Sequence, residues 1–300
     1  MAMREMIVPA GESAKKLANF LKKQFPIGYV RKLFRKNAAR LNGRRVNADA
    51  QIGAGDRIQL YIPFQPPRAT PSQRPTNLEI VYEDDSLLVI NKPAGLAVHE
   101  GKSVNRVDSV AGFVERKYKA SDFPPRLVHR LDKDTSGLLL LAKDEKTLTE
   151  LEKQFAAGLT EKEYLCLVVG RLPSNEGEID LPLPGRDSRL VRALTRYRVV
   201  KRYLETTLVR VVIETGRLHQ IRLHFAGLGH PIVMDGQHGD FEFNRRFRKA
   251  YGLKRQFLHS HKLAVLHAGK RYSWTAPLKQ DLDKTLRLVE SATKGSPVPD

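Results

Sequence analysis

One His, one Arg, one Lys and two Asp fall within six consecutive positions, from His129 and Arg130 through Asp132 and Lys133 to Asp134. Thr135-Ser136-Gly137 follows as a turn, and the apolar run Leu138 to Leu141 then reads as a buried strand. Packing does not require this density of charge at a strand edge. A loop that holds a carboxylate in a fixed electrostatic setting does. The alternative from charge content alone is a solvated turn.

The elements around that loop follow from periodicity and turn chemistry. Glu79 to Tyr82 and Leu87 to Asn91 flank Asp84-Asp85-Ser86, a strand–turn–strand signal, and Lys92-Pro93-Ala94-Gly95 makes a second turn. After the strand at 138–142, Asp144 can cap a helix bearing Leu148, Leu151 and Phe155, with Gly158 at its end. Strands follow near 163–169 and 197–213. Leu218, Ile221, Phe225 and Leu228 have helical spacing, which places Arg222 on a rigid helix. The expected body, 77–292, is α+β: a mixed, mostly antiparallel sheet with helices packed on it.

Ahead of this body, residues 12–62 read as a small α/β module. Leu17, Phe20, Leu21 and Phe25 predict a helix with Ser13 as N-cap, ended by Pro26 and Gly28. A second helix at 28–37 carries Val30, Leu33 and Phe34 on its apolar face and Arg31, Lys32, Arg35 and Lys36 as its charge. Asn42-Gly43 signals a tight hairpin, with Arg44 and Arg45 just after it. Together these residues present one cationic face; the plain alternative is a solvated surface. Residues 63–76 hold five prolines and read as an extended linker. Residues 293–300 read as a disordered tail.

Composition points the same way. The 300 residues include 52 Lys and Arg against 33 acidic residues, a formal net charge of +19, which favours an anionic polymer as partner, nucleic acid before membrane. No apolar stretch approaches the roughly 18–20 residues of a membrane span. The N-terminus lacks an apolar signal region, and Cys166 is the only cysteine, so a reducing, cytoplasmic setting is expected and cysteine-rich zinc sites are excluded.

HRLDKDTSG followed by LLLLAK resembles the signature of RluA-type pseudouridine synthases. "LEIVYEDDSLLVINKPAGLAVHEG", "EKEYLCLVVG", "ETGRLHQIRLHFAGLGHPIVMDGQHG" and "FLHSHKLAVLH" are similar to further motifs of that family, and the likeness covers about 12–290. The resemblance implies an α/β catalytic domain with an extended antiparallel sheet and a central cleft. It implies Asp132 as the essential catalytic residue, Arg222 as its charge partner, Tyr164 as the active-site tyrosine and Leu258 as the apolar pocket residue. "RLNGRRVNADAQIGAGDRIQLYIP" is similar to the alpha-L RNA-binding module named for ribosomal small-subunit protein four. The chain departs from the family at His238, where Tyr is usual, at Leu218, where Thr is common, and at Lys16-Leu17-Ala18, where Arg-Leu-Asp is usual.

These roles agree with the chemistry of the side chains. An adjacent guanidinium favours the ionised form of a carboxylate, and Arg does this better than Lys because it stays charged and can bind bidentately. A surface ion pair is the plain alternative for Arg222. Tyr164 offers a flat ring for stacking on uracil, though a strand Tyr or a Leu such as Leu258 is more often simply core. His129 and Arg130 are expected to be RNA-binding, His129 either orienting the loop or meeting phosphate. The histidines at 219, 224, 230, 238, 259 and 261 lack an acidic or Cys set for zinc, so no metal is expected.

The reading is therefore an RNA pseudouridine synthase that detaches a uracil, turns it and rejoins it through C5, with no cofactor. The expected substrate is large-subunit ribosomal RNA, with transfer RNA as the alternative; the protein is expected to be a monomer without membrane association. A non-catalytic RNA-binding or assembly factor and a metal-dependent RNA hydrolase are the competing classes.

Overall fold

Asn42 and Gly43 turn as their chemistry predicts: both sit at positive φ, 49° and 81°, the geometry of a two-residue hairpin turn. They join the strands Ala39–Leu41 and Arg44–Arg45 in the first of two units into which a computed structural model divides the chain, Met1–Ser72 and Gln73–Asp300. The structure describes residues 4–10, 15–25, 27–64, 77–101, 104–185 and 189–294. The expected Ser13 cap, Pro26 and positions 65–76 of the linker lie outside them.

In the first unit the helices Leu17–Gln24 and Ile27–Arg35 bury Leu17, Phe20, Leu21, Val30 and Leu33 against Ile58 and Leu60 of the strand Arg57–Leu60. That strand lies in an antiparallel sheet of order Arg4–Ile7, Arg57–Leu60, Ala39–Leu41, Arg44–Arg45. Two expectations need correction. The unit starts earlier than residue 12, because Arg4–Ile7 pairs with Arg57–Leu60 along its whole length. The first helix has Lys16 at its N-cap with no side-chain cap, since Lys15–Lys16 is instead a short strand paired with Gln51–Ile52.

The second unit is built on a ten-stranded sheet. Its main path runs Glu176–Asp180, Leu194–Arg202, Thr206–Ile213, Glu161–Val169, Leu258–His267, Ser136–Ala142, Leu87–Lys92, Ile80–Glu83. Among the described residues only the ladder of Ser136–Ala142 with Leu258–His267 is parallel in this sheet, and that join is just two residue pairs, Ser136 with His259 and Gly137 with Ser260. The mixed, mostly antiparallel sheet predicted from the strand pattern is thus what forms.

The apolar run after Gly137 explains the layering. Alternate residues of a strand point to opposite faces. Leu138 and Leu140 enter one core with Leu148 and Leu151 of the helix Glu145–Ala157. Leu139 and Leu141 enter the other with Val110, Val114, Ile221 and Phe225 from the helices Val110–Lys117 and Gln220–Gly227. Each fully buried Leu contributes about 2 kcal/mol relative to exposure, which fixes this strand in register. Asp144 caps its helix by accepting from the Thr147 amide at 2.8 Å, and Gly158 ends it in the left-handed region. The helix Gln280–Thr293 extends the folded body one residue beyond its expected end at 292, and residues 295–300 lie outside the described part. Among the described residues no helix is long and apolar enough to cross a membrane.

Gly137 sits at the parallel join with φ of 111°, and a Cβ there would lie 2.2 Å from the Ser260 carbonyl oxygen. Backbone cannot yield as a flexible side chain would. Gly137→Ala should therefore destabilise the second unit by about 3 kcal/mol. Thermal unfolding checks this: a fall of roughly 6–12 °C in Tm is expected, and an unchanged Tm would mean that the join is slack.

Candidate active site

The loop 129–135 is tied down along its length. The Leu140 amide donates to His129 Nε2 at 3.0 Å, and the His129 ring stacks on Phe155 at 4.8 Å between centroids. Leu131 is buried in the core. The Lys133 carbonyl accepts from Lys92 Nζ at 3.0 Å and from the Gly95 amide at 2.9 Å. Thr135 donates its amide to the Asp132 carbonyl and accepts at its hydroxyl from Gln256, and Ser136 accepts from Arg255. Fixing the backbone on both sides of Asp132 leaves its carboxylate little freedom beyond its own rotamers.

Lys92 is fully buried. Its ammonium donates to three carbonyls, those of Pro93, Leu96 and Lys133, so each of its N–H bonds has a partner. Burial nevertheless pushes its pKa down to about 7. Its effect is mechanical: it pins the Lys92–Gly95 turn to the Asp132 loop. In the sequence this segment is a turn inside one of the motifs, and nothing local marks its lysine as buried.

Arg222 reaches Asp132 from the helix Gln220–Gly227. Its Nη1 donates to Asp132 Oδ2 at 2.8 Å. The rest of the guanidinium belongs to Asp235: Nε donates to Oδ2 at 2.6 Å and Nη2 to Oδ1 at 2.8 Å, with Gln237 accepting a further bond at 3.0 Å. Asp235 is completely buried and also accepts the amides of Gln237 and His238. Burial raises its pKa, and the Arg222 bonds and the two amides more than offset this, so the carboxyl is held below its usual range. Burial likewise works against the charge on Arg222, and the two carboxylates reverse that. With Asp235 occupying the bidentate fork, the Asp132 carboxylate receives one hydrogen bond from the guanidinium, and among the described residues its Oδ1 accepts none. Asp235 and Gln237 went unassigned in the sequence, although the Met234-Asp235-Gly236 turn lies inside one of the motifs.

His219 Nε2 is 3.9 Å from that Oδ1. His219 stands just before the helix with φ of 54°, a strained setting for a non-glycine residue. Its Nδ1 lies 3.0 Å from His238 Nε2, a hydrogen bond in which one ring donates to the other. Burial lowers the His219 pKa, and the nearby Arg222 and His238 add to this while Asp132 opposes it. His238, where the family usually has Tyr, is thus tied to the residue beside Asp132.

The cleft over Asp132 is lined also by Arg130, Tyr164, Ile221 and Leu258. Tyr164 is buried on the central strand Glu161–Val169, and the ladder to Leu258–His267 slips there: Glu163 pairs with Lys262 but Tyr164 with Ser260. A bulge of this kind re-aims the side chain beside it. Burial, and then the charge of Asp132, push the Tyr164 hydroxyl pKa well up, so it stays neutral. Leu258 begins its strand, buried, at the cleft floor.

Asp132, Arg222, Tyr164, Leu258 and Arg130 are therefore brought together. His129 is not placed for the expected phosphate contact: its ring packs on Phe155, Nε2 is used by a backbone amide, and burial drives its pKa to about 3. It orients the loop instead. In the first unit Arg31, Lys32 and Arg35 are exposed on the helix Ile27–Arg35, Lys36 in the turn after it, and Arg44 and Arg45 on the hairpin. Lys32, Lys36 and Arg45 line one shallow groove with Arg40. The other histidines are used structurally: His259 between Ser136 and the Ala276 carbonyl, His261 on that same carbonyl, His224 on Leu181 and His230 on Val169. Among the described residues no group of three or more His, Cys, Asp or Glu is arranged to hold a metal.

Residues 86–227 match the family model described as RNA pseudouridylate synthase. The chain is 33% identical to ribosomal large subunit pseudouridine synthase C of Escherichia coli (strain K12), across 97% of this chain and 98% of that protein. Its identity to the synthase of the same name from Vibrio cholerae is also 33%, across 93% of this chain and 95% of the relative. Among solved structures, human RNA pseudouridylate synthase domain containing 4 superposes with a TM-score of 0.60 at 26% identity, covering 70% of this chain and 92% of that one. Human RNA pseudouridylate synthase domain containing 1 shares the fold, with a TM-score of 0.57 at 23% identity over 75% of this chain and 97% of the other. Matched along nearly its entire length, the chain belongs to the RNA pseudouridine synthases of the RluA type and is an isomerase of uridine in RNA.

Proposed function

We propose that Asp132 is the catalytic carboxylate and that the substrate is large-subunit ribosomal RNA, modified in the cytoplasm by a monomeric enzyme. The observation that carries the assignment of Asp132 is its single bond from Arg222, which leaves Oδ1 open to the cleft. A carboxylate that attacks the sugar carbon or removes a sugar proton needs a fixed position, and the bond from Arg222 gives Asp132 one. Tyr164 offers its ring to the uracil and Leu258 an apolar wall; the target base must leave its stack to reach them. The names of the bacterial relatives support ribosomal RNA as the substrate. The exposed cations of the first unit support its reading as an alpha-L type RNA-binding module joined through the proline-rich segment 63–76.

The role of Asp132 is tested by Asp132→Asn, which should abolish isomerisation and leave RNA binding within a few-fold. Wild-type turnover by this variant, under conditions that prevent deamidation, would falsify the assignment. A chemical map of pseudouridines in RNA from a deletion strain names the substrate: missing sites in large-subunit ribosomal RNA are expected, and missing sites in transfer RNA alone would overturn that choice.

Arg222→Ala should cut the single-turnover rate by about a hundredfold or more, and Arg222→Lys should recover only part of it. Asp235→Asn should lower kcat with little change in KM, because Asp235 is buried behind Arg222. A rise confined to KM would remove Asp235 from the positioning of Asp132.

Deleting residues 1–72 should weaken RNA binding and flatten its salt dependence, since each lost phosphate contact removes roughly 0.7–0.9 from the slope of log K against log salt. Short substrates that fill only the cleft should be modified at similar rates by both proteins. Identical salt slopes would mean that the basic face of the first unit does not touch RNA.

A further inference from the structure

The helix Phe241–Tyr251 follows directly on the loop that carries Asp235 and His238. Its inner face is Phe243, Asn244 and Phe247. Asn244 accepts from the Met234 amide at 2.7 Å and donates to the Asp235 carbonyl at 2.9 Å. An unbroken series of hydrogen bonds thus runs from this helix through Asp235 and Arg222 to Asp132. The helix is part of the wall that supports the site.

Its outer face has no structural task that accounts for its composition. Phe241, the first helical residue, is 64% exposed. Arg245 is exposed at 79% of its side chain and has only a loose 3.9 Å approach to Glu242. Arg248 and Lys249 are exposed, and among the described residues neither side chain has an ion-pair or hydrogen-bond partner. Arg246, by contrast, is engaged with Glu205 and the Phe243 ring. Basic residues in a last turn complement the helix dipole, which gives Arg248 and Lys249 a modest local reason to be there. That reason covers neither Arg245 in the middle of the helix nor a solvated phenyl ring at its start. An exposed aromatic interleaved with free cations is the composition of a surface that stacks bases and follows a phosphate backbone.

We propose that the outer face of the Phe241–Tyr251 helix is a second RNA-docking site: it holds the single-stranded stretch of substrate flanking the target uridine. Phe241 stacks an unpaired base, and Arg245, Arg248 and Lys249 meet the phosphates. From Phe241 to Lys249 is eight residues, about 12 Å along the axis, so the strand is held over a few nucleotides. The assignment rests on RNA being the substrate and not on which RNA it is.

The test uses the full chain with two probes of equal length, a labelled oligouridylate and an RNA duplex, with binding measured across a salt series. Phe241→Ala should weaken oligouridylate binding about tenfold and leave the duplex unchanged, since a paired base cannot stack on the ring. The triple variant Arg245→Gln, Arg248→Gln and Lys249→Gln should lower the salt slope for the oligouridylate by about two. Melting temperatures equal to that of the wild type exclude unfolding as the cause; should the triple variant melt early, Arg248→Gln alone should still lower the slope, by about 0.7. Unchanged affinity and slope would overturn the proposal. An equal loss for duplex and single strand with Phe241→Ala would overturn the stacking role. Lost binding to polyglutamate with oligouridylate binding intact would give the face to an acidic protein instead.

Discussion

One guanidinium serves two carboxylates, and the architecture around it keeps that sharing unequal. Taking Arg222 and Asp235 out of water costs several kcal/mol for each ion, and only good geometry with full hydrogen bonding repays it. The protein meets that condition with a bidentate fork, two loop amides on Asp235 and Asn244 behind the loop. Met234 adopts φ of 63° to make the turn possible. An Arg without Asp235 could rotate to grip Asp132 with both nitrogens and occupy the oxygen that faces the cleft. The second carboxylate fixes where the charge sits as well as supplying it.

The same division of labour runs through the rest of the site. Lys92 bridges two turns by donating to carbonyls, and Arg255 ties Ser136 to Asp281. Neither lines the cleft, yet both are basic side chains that donate to main-chain carbonyls. Reactive and supporting side chains come from loops, strands and a helix far apart in sequence, so precision depends on how firmly each element is seated in the two cores. The buried leucines after Gly137 provide that seating.

Much of this was legible from residue types alone. The buried strand after Gly137, the Asp144 cap with its Gly158 stop, the Asn42-Gly43 hairpin and the helix under Arg222 each have a local cause. The strand Arg4–Ile7 was not legible, because a short edge strand is defined by its partner. Asp235 was hidden for a related reason: a buried carboxylate and a solvated turn residue look the same until the guanidinium across the fold is placed. For His129 the sequence left loop orientation and phosphate contact both open, and only Phe155, on the following helix, decides between them by covering the ring. Local signals gave the elements; pairings between distant elements gave the site its electrostatics.

The parallel join at Ser136 and Gly137 has one more consequence. Two residue pairs are a narrow weld between the strands on the Ile80–Glu83 side and those on the Glu176–Asp180 side. A broad ladder there would spread any displacement of an outer strand across the whole sheet. A narrow weld, with Gly137 against the Ser260 backbone, confines the shared boundary to a point that tolerates no added atom. The outer ribbons on either side can then flex without dragging each other, while the spot from which Asp132 is suspended keeps its place.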